Sequence, residues 1–294
     1  MEQSVLILGA TGRFGRNMAT AFDAAGWEVR RFDRSRDDLE QAAQGVDIIV
    51  HGWNPTYDKW ETDVPALTQK VIKAARATGA TVLIPGNVYV YGKDAPAVWR
   101  SDTPFGATNP MGQIRITMEQ AFENSGVRVI LLRAGDFIDT EASGNWFDKI
   151  IVKSLAKGRF SYPGKRHIPH AWAFLPDYCR AFVALAETRK TLPRYTSLNY
   201  EGYTLSGQQM ADILGVRAEQ MNWLPIFLIA PFWKMGRCFL QMRYLWNKPH
   251  QMDGSAFRAV LPDFRETPVH IALQRAVSFQ IDPDQSMIGT GATV

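Results

Sequence analysis

The apolar positions in the first half of the chain fall into short runs separated by amphipathic segments. SVLILGA, from Ser4 to Ala10, is a continuous apolar run ending in glycine, as a strand buried on both faces requires. Arg16 to Ala25 places Met18, Phe22 and Ala25 on one helical face, with Gly26 as the stop. WEVRRFD then gives a second strand, Arg36 to Gln44 a short helix, and VDIIVHG a third strand. A helix with an acidic start over Val64 to Thr78, the strand TVLIP, a helix over Asn109 to Phe122 and the strand VRVILLRAG continue the alternation. Repeated units of this kind predict an α/β fold, a doubly wound parallel sheet covered by helices on both faces.

After Gly135 the rhythm breaks. Gly, Pro, His and aromatic residues crowd through SYPGKRHIPHAWAF before a helix from Asp177 to Arg189, for which Asp177 is placed as N-cap. A strand over Tyr195 to Tyr200 and a helix over Ser206 to Leu214 precede a stretch rich in Trp, Met, Phe and Pro. The expected organisation is a nucleotide-binding domain over 1–140, with 171–200 returning to it. A smaller C-terminal substrate lobe over 141–170 and 201–285 and a flexible tail over 286–294 complete it.

Composition narrows the picture. The chain is 294 residues long, 46% hydrophobic and 21% charged, which fits a globular protein and not a disordered one. The net charge is +4 and the pI about 9.0, with arginines scattered except in RRFDRSR, so no nucleic-acid groove is expected. Cys179 and Cys238 lie far apart without metal spacing; a reduced, cytoplasmic chain without a bound metal is expected. No signal peptide is read before SVLILGA. WLPIFLIAPFW, Trp223 to Trp233, is too short to span a bilayer and is interrupted by Pro225 and Pro231. It is expected in the core or at a subunit interface, which leaves a homodimer open. A membrane-surface role and a lipid-like substrate wall are its alternatives, and no membrane partner is expected.

GATGRFG, Gly9 to Gly15, stands between the first strand and the first helix. Its glycines allow a tight turn and close approach of a pyrophosphate to the helix amides. The spacing is GxxGxxG, a variant of the general dinucleotide fingerprint. Gly9, Thr11, Gly12, Arg13, Phe14 and Gly15 are the candidate pyrophosphate contacts. Asp33 follows Gly15 by 18 residues, at a strand end, where it suits the ribose diol of NAD. Arg34, with Arg13 and Arg36, suits the 2′-phosphate of NADP. The cofactor expected is NAD or NADP, with Asp33 favouring NAD.

These motifs, with VYVYG (Val88 to Gly92), the helix Asn109 to Phe122, LRAGDF (Leu132 to Phe137) and Asp177, resemble the short-chain dehydrogenase/reductase superfamily. The resemblance is to its extended and atypical NAD-dependent epimerase/dehydratase branch. It runs from Gly9 to about Asp177 and implies a Rossmann domain with the cofactor across the sheet's carboxyl edge. It also implies a Ser/Thr before the YG element and a Tyr and Lys four apart on the following helix. Asn87, Met111 and Arg115 occupy those three positions here. Met111 exchanges no proton, and Arg115 can clamp the nicotinamide ribose but is no acid or base near neutral pH. The same helix also reads as a structural one: Asn109 caps it, Pro110 starts it, Ile114, Met118 and Phe122 repeat at core spacing, and Arg115 pairs with Glu119.

Another group must then move the proton. Tyr89 is the nearest candidate, and Tyr91 is read as packing. His51 and Gly52 are expected at the adenosine or ribose, and Ala134 and Asp136 near the nicotinamide. Trp53, Asn54, Asn145, Trp146 and His167 are expected to wall the substrate pocket, with His170 on the same loop. The expected function is an NAD(P)-binding oxidoreductase or epimerase/dehydratase-like enzyme acting on a small hydroxyl- or carbonyl-bearing metabolite. A nucleotide-sensing or regulatory protein without turnover is the alternative.

Overall fold

The computed structural model describes residues 3–280, and the tail expected over 286–294 lies outside them. From the amino end come β1 (Ser4–Leu8), α1 (Arg13–Ala24), β2 (Glu28–Phe32), α2 (Leu39–Ala42), β3 (Ile48–His51) and α3 (Trp60–Thr78). Next are β4 (Thr81–Gly86), β5 (Val98–Trp99), α4 (Pro110–Glu123), β6 (Val129–Arg133) and β7 (Asp136–Ile138). β8 (Arg159–Tyr162), β9 (His170–Phe174), α5 (Leu175–Glu187), β10 (Tyr195–Asn199) and β11 (Tyr203–Leu205) follow. The last part holds α6 (Gly207–Ile213), β12 (Arg217–Gln220), α7 (Leu224–Ile229), α8 (Lys234–Met242), β13 (Gln251–Met252), α9 (Ser255–Val260) and α10 (Val269–Val277).

Six parallel strands form the central sheet in the order β10-β6-β4-β3-β1-β2. The inner strands β1, β3, β4 and β6 are buried on both faces, the edge strand β2 is not, and alternation divides their side chains. Leu6, Leu8, Ile49, Val82, Ile84 and Leu131 join a core with Val64, Val71, Met118 and Phe122 of α3 and α4. Val5, Ile7, Ile48, Val50, Leu83 and Leu132 join another with Met18, Phe22, Cys179 and Phe182 of α1 and α5. The doubly wound parallel sheet expected from the apolar runs is therefore observed. β7, β9 and β11 make a separate three-stranded sheet, which packs with Phe147, Phe160, Trp223, Trp246 and Leu273 as a third core.

Several local expectations change. Helix α1 begins at Arg13, immediately after the glycine turn, and Ala25 is exposed. Helix α3 begins four residues before Val64. Asp177 does not cap α5, whose N-cap is Phe174. It is buried in the first turn, where its carboxylate accepts from Thr267 N and Oγ1 and pairs with Arg180 at 2.8 Å. The segment Trp223–Trp233 reaches the core only through Trp223, Ile226 and Ala230. Leu224, Phe227, Leu228 and Phe232 are exposed, and no residue of α7 is buried. Among the described residues no helix is long and apolar enough to cross a membrane. Both cysteines are buried and free.

The largest change concerns α4. Asn109 caps it as expected, accepting from Gly112 N at 2.9 Å, with Pro110 in the first turn. Glu119, however, pairs with Arg133 of β6 and not with Arg115. Its carboxylate accepts from Arg133 Nη1 and Nη2 at 2.9 and 2.7 Å, both side chains almost wholly buried. Arg133 Nη1 also donates to the Asn87 carbonyl at 2.7 Å, so the pair ties α4 to the turn after β4. A bidentate pair with a further acceptor compensates two desolvated charges, whereas removal of one partner strands the other. Glu119→Gln is therefore expected to lower unfolding stability in urea by about 3–5 kcal/mol. A loss under about 1 kcal/mol would show that Arg133 finds another counter-charge.

Candidate active site

Strand register brings the first half of the site together. Leu8 of β1 pairs with Phe32 of β2 on one side and with His51 of β3 on the other. Gly9, Asp33 and Gly52 therefore leave the sheet side by side. The chain turns from β2 back across β1 to β3 here, which makes this crevice the topological switch point. The glycines are crowded as well as flexible. Gly9 sits at φ +75°, and a Cβ on it would lie 2.8 Å from the Gly52 carbonyl oxygen. A Cβ on Gly15 would lie 2.2 Å from the Gly9 carbonyl oxygen, and one on Gly52 would lie 2.4 Å from that of Leu8. No side chain caps α1 and no acid stands in its first turn, so its amides are left for an anion. Thr11 and Gly12 are exposed at this rim. Phe14 is buried against Tyr178 and Phe182, which leaves its backbone amide as its polar contribution. The cradle fits a pyrophosphate.

Asp33 is partly exposed at the end of β2. It accepts from Ser35 N at 2.9 Å and Ser35 Oγ at 2.7 Å, and its other oxygen meets Arg36 at 2.8 Å. The Ser35 hydrogen bonds, ahead of Arg36, hold its carboxyl below the usual range, so it stays an anion where a diol could bind. Arg34 is exposed beside it. Arg13 instead reaches across the crevice to the Gly144 carbonyl at 2.9 Å. The loop it holds is fastened further by Arg16 to Asp139 at 3.0 Å, while Asp148 accepts from Gly144 N and Asn145 N. Asn145 therefore serves a turn at the edge of the glycine loop, and Trp146 follows it.

The three positions matching the family triad lie at the ends of β4 and α4. Asn87 accepts from Tyr89 N at 3.1 Å and starts the short helical turn Val88–Val90. Met111 is 2% exposed and belongs to the apolar cluster that holds Trp60, Tyr89 and Met242. Arg115 is buried; it donates Nη2 to the Pro85 carbonyl at 2.8 Å and its guanidinium lies 5.7 Å from the Trp60 ring centre. Its Nε has no hydrogen-bond partner, and neither has Nδ1 of the buried His51. Burial and the Arg115 charge push His51 down to about 3, so its ring is neutral at physiological pH. Ala134 is buried and donates its amide to the Gly86 carbonyl at 3.2 Å. These orphaned polar atoms at the sheet's carboxyl edge suit the hydroxyls of a bound ribose.

A second group was only partly visible in the sequence. Asp136 Oδ2 lies 2.7 Å from His170 Nε2, with the carboxylate 27% exposed and the imidazole 3% exposed behind it. His170 stacks on Trp246 at 4.6 Å and 7°, and its ring centre is 4.3 Å from that of His250. Tyr89 OH and Tyr57 OH are 2.6 Å apart, and burial, helped by Tyr57 and the Asp136 charge, pushes Tyr89 well above the usual phenol range. Tyr91 packs, stacked on Trp99 and bonded to Asn199. Trp146 meets Trp223, Phe239 and Trp246, and Phe239 meets Tyr57, so an aromatic wall runs beside the two phenols. Trp53 is half-buried against Phe32 and His51. Asn54 and His167 are exposed. His167 lines a shallow depression with Pro169, Ser206, Gln208 and Gln209, which no glycine-loop residue enters. Tyr57, Phe239, Trp246 and His250 escaped the sequence reading. The pairing of β7 with β9, which brings Asp136 to His170, leaves no local signal.

Residues 5–199 match the family model described as NAD dependent epimerase/dehydratase family. No curated protein matches the sequence. Solved structures superpose on nearly the whole chain. MoeE5 in complex with UDP-glucose and NAD is 17% identical, with a TM-score of 0.73, over 97% of this chain and 99% of that one. The NAD-dependent NDP-hexosamine 5,6-dehydratase TunA is 15% identical, with a TM-score of 0.74, over 96% and 100%. L-threonine dehydrogenase from Phytophthora infestans is 15% identical, with a TM-score of 0.72, over 95% and 99%. At these identities the likeness is one of fold.

The buried imidazoles generate a pH dependence. Burial holds His51 down, and His250 is also held well below its ordinary 6.5, chiefly by burial and then by His170. Both are neutral when folded and protonate when unfolded below about 6.5. The unfolded chain then binds more protons, so stability falls as pH drops below that value, by about 1.4 kcal/mol per pH unit for each ring. Urea denaturation of His51→Gln at pH 7, 6 and 5 is expected to show the slope reduced by about one proton. An unchanged slope would place His51 in contact with water.

Proposed function

Because the chain belongs to the NAD dependent epimerase/dehydratase family, we propose that it is a nicotinamide-dependent oxidoreductase or epimerase-type enzyme for a small hydroxyl- or carbonyl-bearing molecule. The reading rests on one observation. Gly9, Asp33 and Gly52 emerge at one level of the switch point, with no room for a Cβ at Gly9, Gly15 or Gly52. Gly9, Gly12, Gly15 and the α1 amides would hold the pyrophosphate, and Asp33 the adenosine ribose diol. Asp33 favours NAD over NADP, since an anion there repels a 2′-phosphate and Arg13 is engaged by Gly144. Arg115 and His51 would hold the second ribose through their unpartnered nitrogens. The nicotinamide supplies hydride transfer to or from a carbon bearing the hydroxyl or carbonyl.

The proton needs a group of this chain. Met111 carries none, and burial leaves Tyr89 too weak an acid to ionise near neutral pH. Asp136 is the more exposed member of a carboxylate–imidazole pair and reaches open space, with the buried His170 behind it. Asp136 would take the proton from a substrate hydroxyl, or return it to a carbonyl oxygen, while His170 holds the carboxylate in place. The Tyr57–Tyr89 pair would donate a hydrogen bond to the same oxygen. The wall of Trp146, Phe239 and Trp246 would pack the rest of the substrate. MoeE5 with UDP-glucose and an L-threonine dehydrogenase share this frame, so the frame alone does not choose between a sugar nucleotide and a smaller hydroxy compound.

The burial of Met111 at the family's Tyr position favours a second reading, a nucleotide-sensing protein without turnover. The two readings separate on one assay, in which reduced nicotinamide cofactor is mixed with a broad panel of carbonyl compounds. Steady cofactor oxidation is expected, falling by about 10²–10⁴ in kcat for Asp136→Asn with little change in cofactor affinity. His170→Gln is expected to move the pH profile of kcat. Tight cofactor binding with no oxidation across the panel would instead support the sensor.

A further inference from the structure

The exposed segment after β12 has no part in the site described above. Leu224, Phe227, Leu228, Ile229, Phe232 and Trp233 are all exposed, Leu228 by 67% and Phe232 by 94%. They form a convex knuckle of α7 and the turn after it, held from below by buried Trp223, whose Nε1 donates to the Pro163 carbonyl at 2.6 Å. An apolar projection of this kind is costly in water and marks an interaction surface. Its charge setting is one-sided. From Gln220 to Met252 the sequence has no acidic residue and four cations, Lys234, Arg237, Arg243 and Lys248. Folding brings Asp58 within electrostatic reach of Lys234. Arg237 donates to the Pro231 carbonyl at 2.9 Å, and the Arg243 guanidinium lies 5.3 Å from the ring centres of Trp223 and Phe227. Lys234 and Arg237 are exposed beside the apolar tip and Arg243 packs against Phe227, whereas Lys248 is tied to the Ala95 carbonyl.

We propose that this knuckle docks the protein on a lipid bilayer bearing anionic headgroups, with Leu228 and Phe232 inserted into the headgroup–acyl boundary and Lys234, Arg237 and Arg243 at the phosphates. An interfacial segment with an apolar tip, an exposed tryptophan at Trp233 and adjacent cations has this chemistry. A second copy fits less well, because a two-fold contact sets a patch against itself and would bring the adjacent cations together. Docking would also bring the aromatic wall of the site near the membrane, since Trp233 meets Phe239 at 5.6 Å and Phe239 meets Trp146 and Tyr57.

The full chain is tested by co-sedimentation with vesicles of phosphatidylcholine alone and of phosphatidylcholine with 30 mol% phosphatidylglycerol. Partitioning onto the anionic vesicles is expected to exceed that onto neutral ones by roughly tenfold or more. The double variant Leu228→Asp/Phe232→Asp is expected to lose at least about tenfold of it, with melting temperature and nicotinamide titration unchanged. Those two controls keep the outcome separate from that of the proposed cofactor site. Absence of sedimentation with either vesicle overturns the proposal, as does equal partitioning onto both or binding unaltered in the variant. A concentration-dependent dimer in light scattering, lost in the same variant and without vesicle binding, overturns it in favour of self-association.

Discussion

Backbone crowding at the carboxyl ends of β1 and β3 constrains everything built above it. Three peptide segments meet there so closely that Gly9, Gly15 and Gly52 each have a carbonyl oxygen where a Cβ would stand. A methyl group at any of them must push apart a strand end, the following turn or the start of α1. The same turn leaves the first-turn amides of α1 unspent on any side-chain cap. A second constraint holds the opposite side of the crevice. The Arg133–Glu119 pair and the Arg133 bond to the Asn87 carbonyl fasten β6, α4 and the turn carrying Tyr89 to one another.

Committing Glu119 to Arg133 has a consequence for Arg115. Among the described residues no carboxylate pairs with Arg115, and its charge rests on one carbonyl and the face of Trp60. Burial without full compensation pulls its pKa down, chiefly by desolvation. A cation in that state gains from any ligand rich in oxygen. The position that a lysine holds in the resembling family thus keeps an electrostatic role while losing the chemistry of proton exchange. In the proposed reaction the acid–base function falls to Asp136, whose imidazole partner is buried by Trp246 and His250.

The centre of the sheet was legible because β1, β3, β4 and β6 are short apolar runs followed closely by glycine, signals that survive without tertiary context. The cap of α4 was legible too, since Asn109 and Pro110 act locally. Asp177 misled because Asp at a helix start reads as a cap, whereas here a distant backbone amide at Thr267 takes the carboxylate. Glu119 misled for the same reason: the i,i+4 partner lay in the sequence and the better partner lay 14 residues away on a strand. The apolar run Trp223–Trp233 suits a core or a subunit interface equally in sequence, because hydrophobicity alone does not reveal which side of a surface a residue occupies. The Asp136–His170 pair depends on strands 34 residues apart, beyond any periodicity.

The most direct measurement is a calorimetric titration of the full chain with NAD and with its reduced form, beside Gly15→Val. One saturable site at millimolar concentration or tighter, lost in the variant while the variant stays folded by circular dichroism, is the predicted result. No heat and no saturation with either form in the unaltered protein would contradict the cradle as a diphosphate site, and with it the proposed reaction.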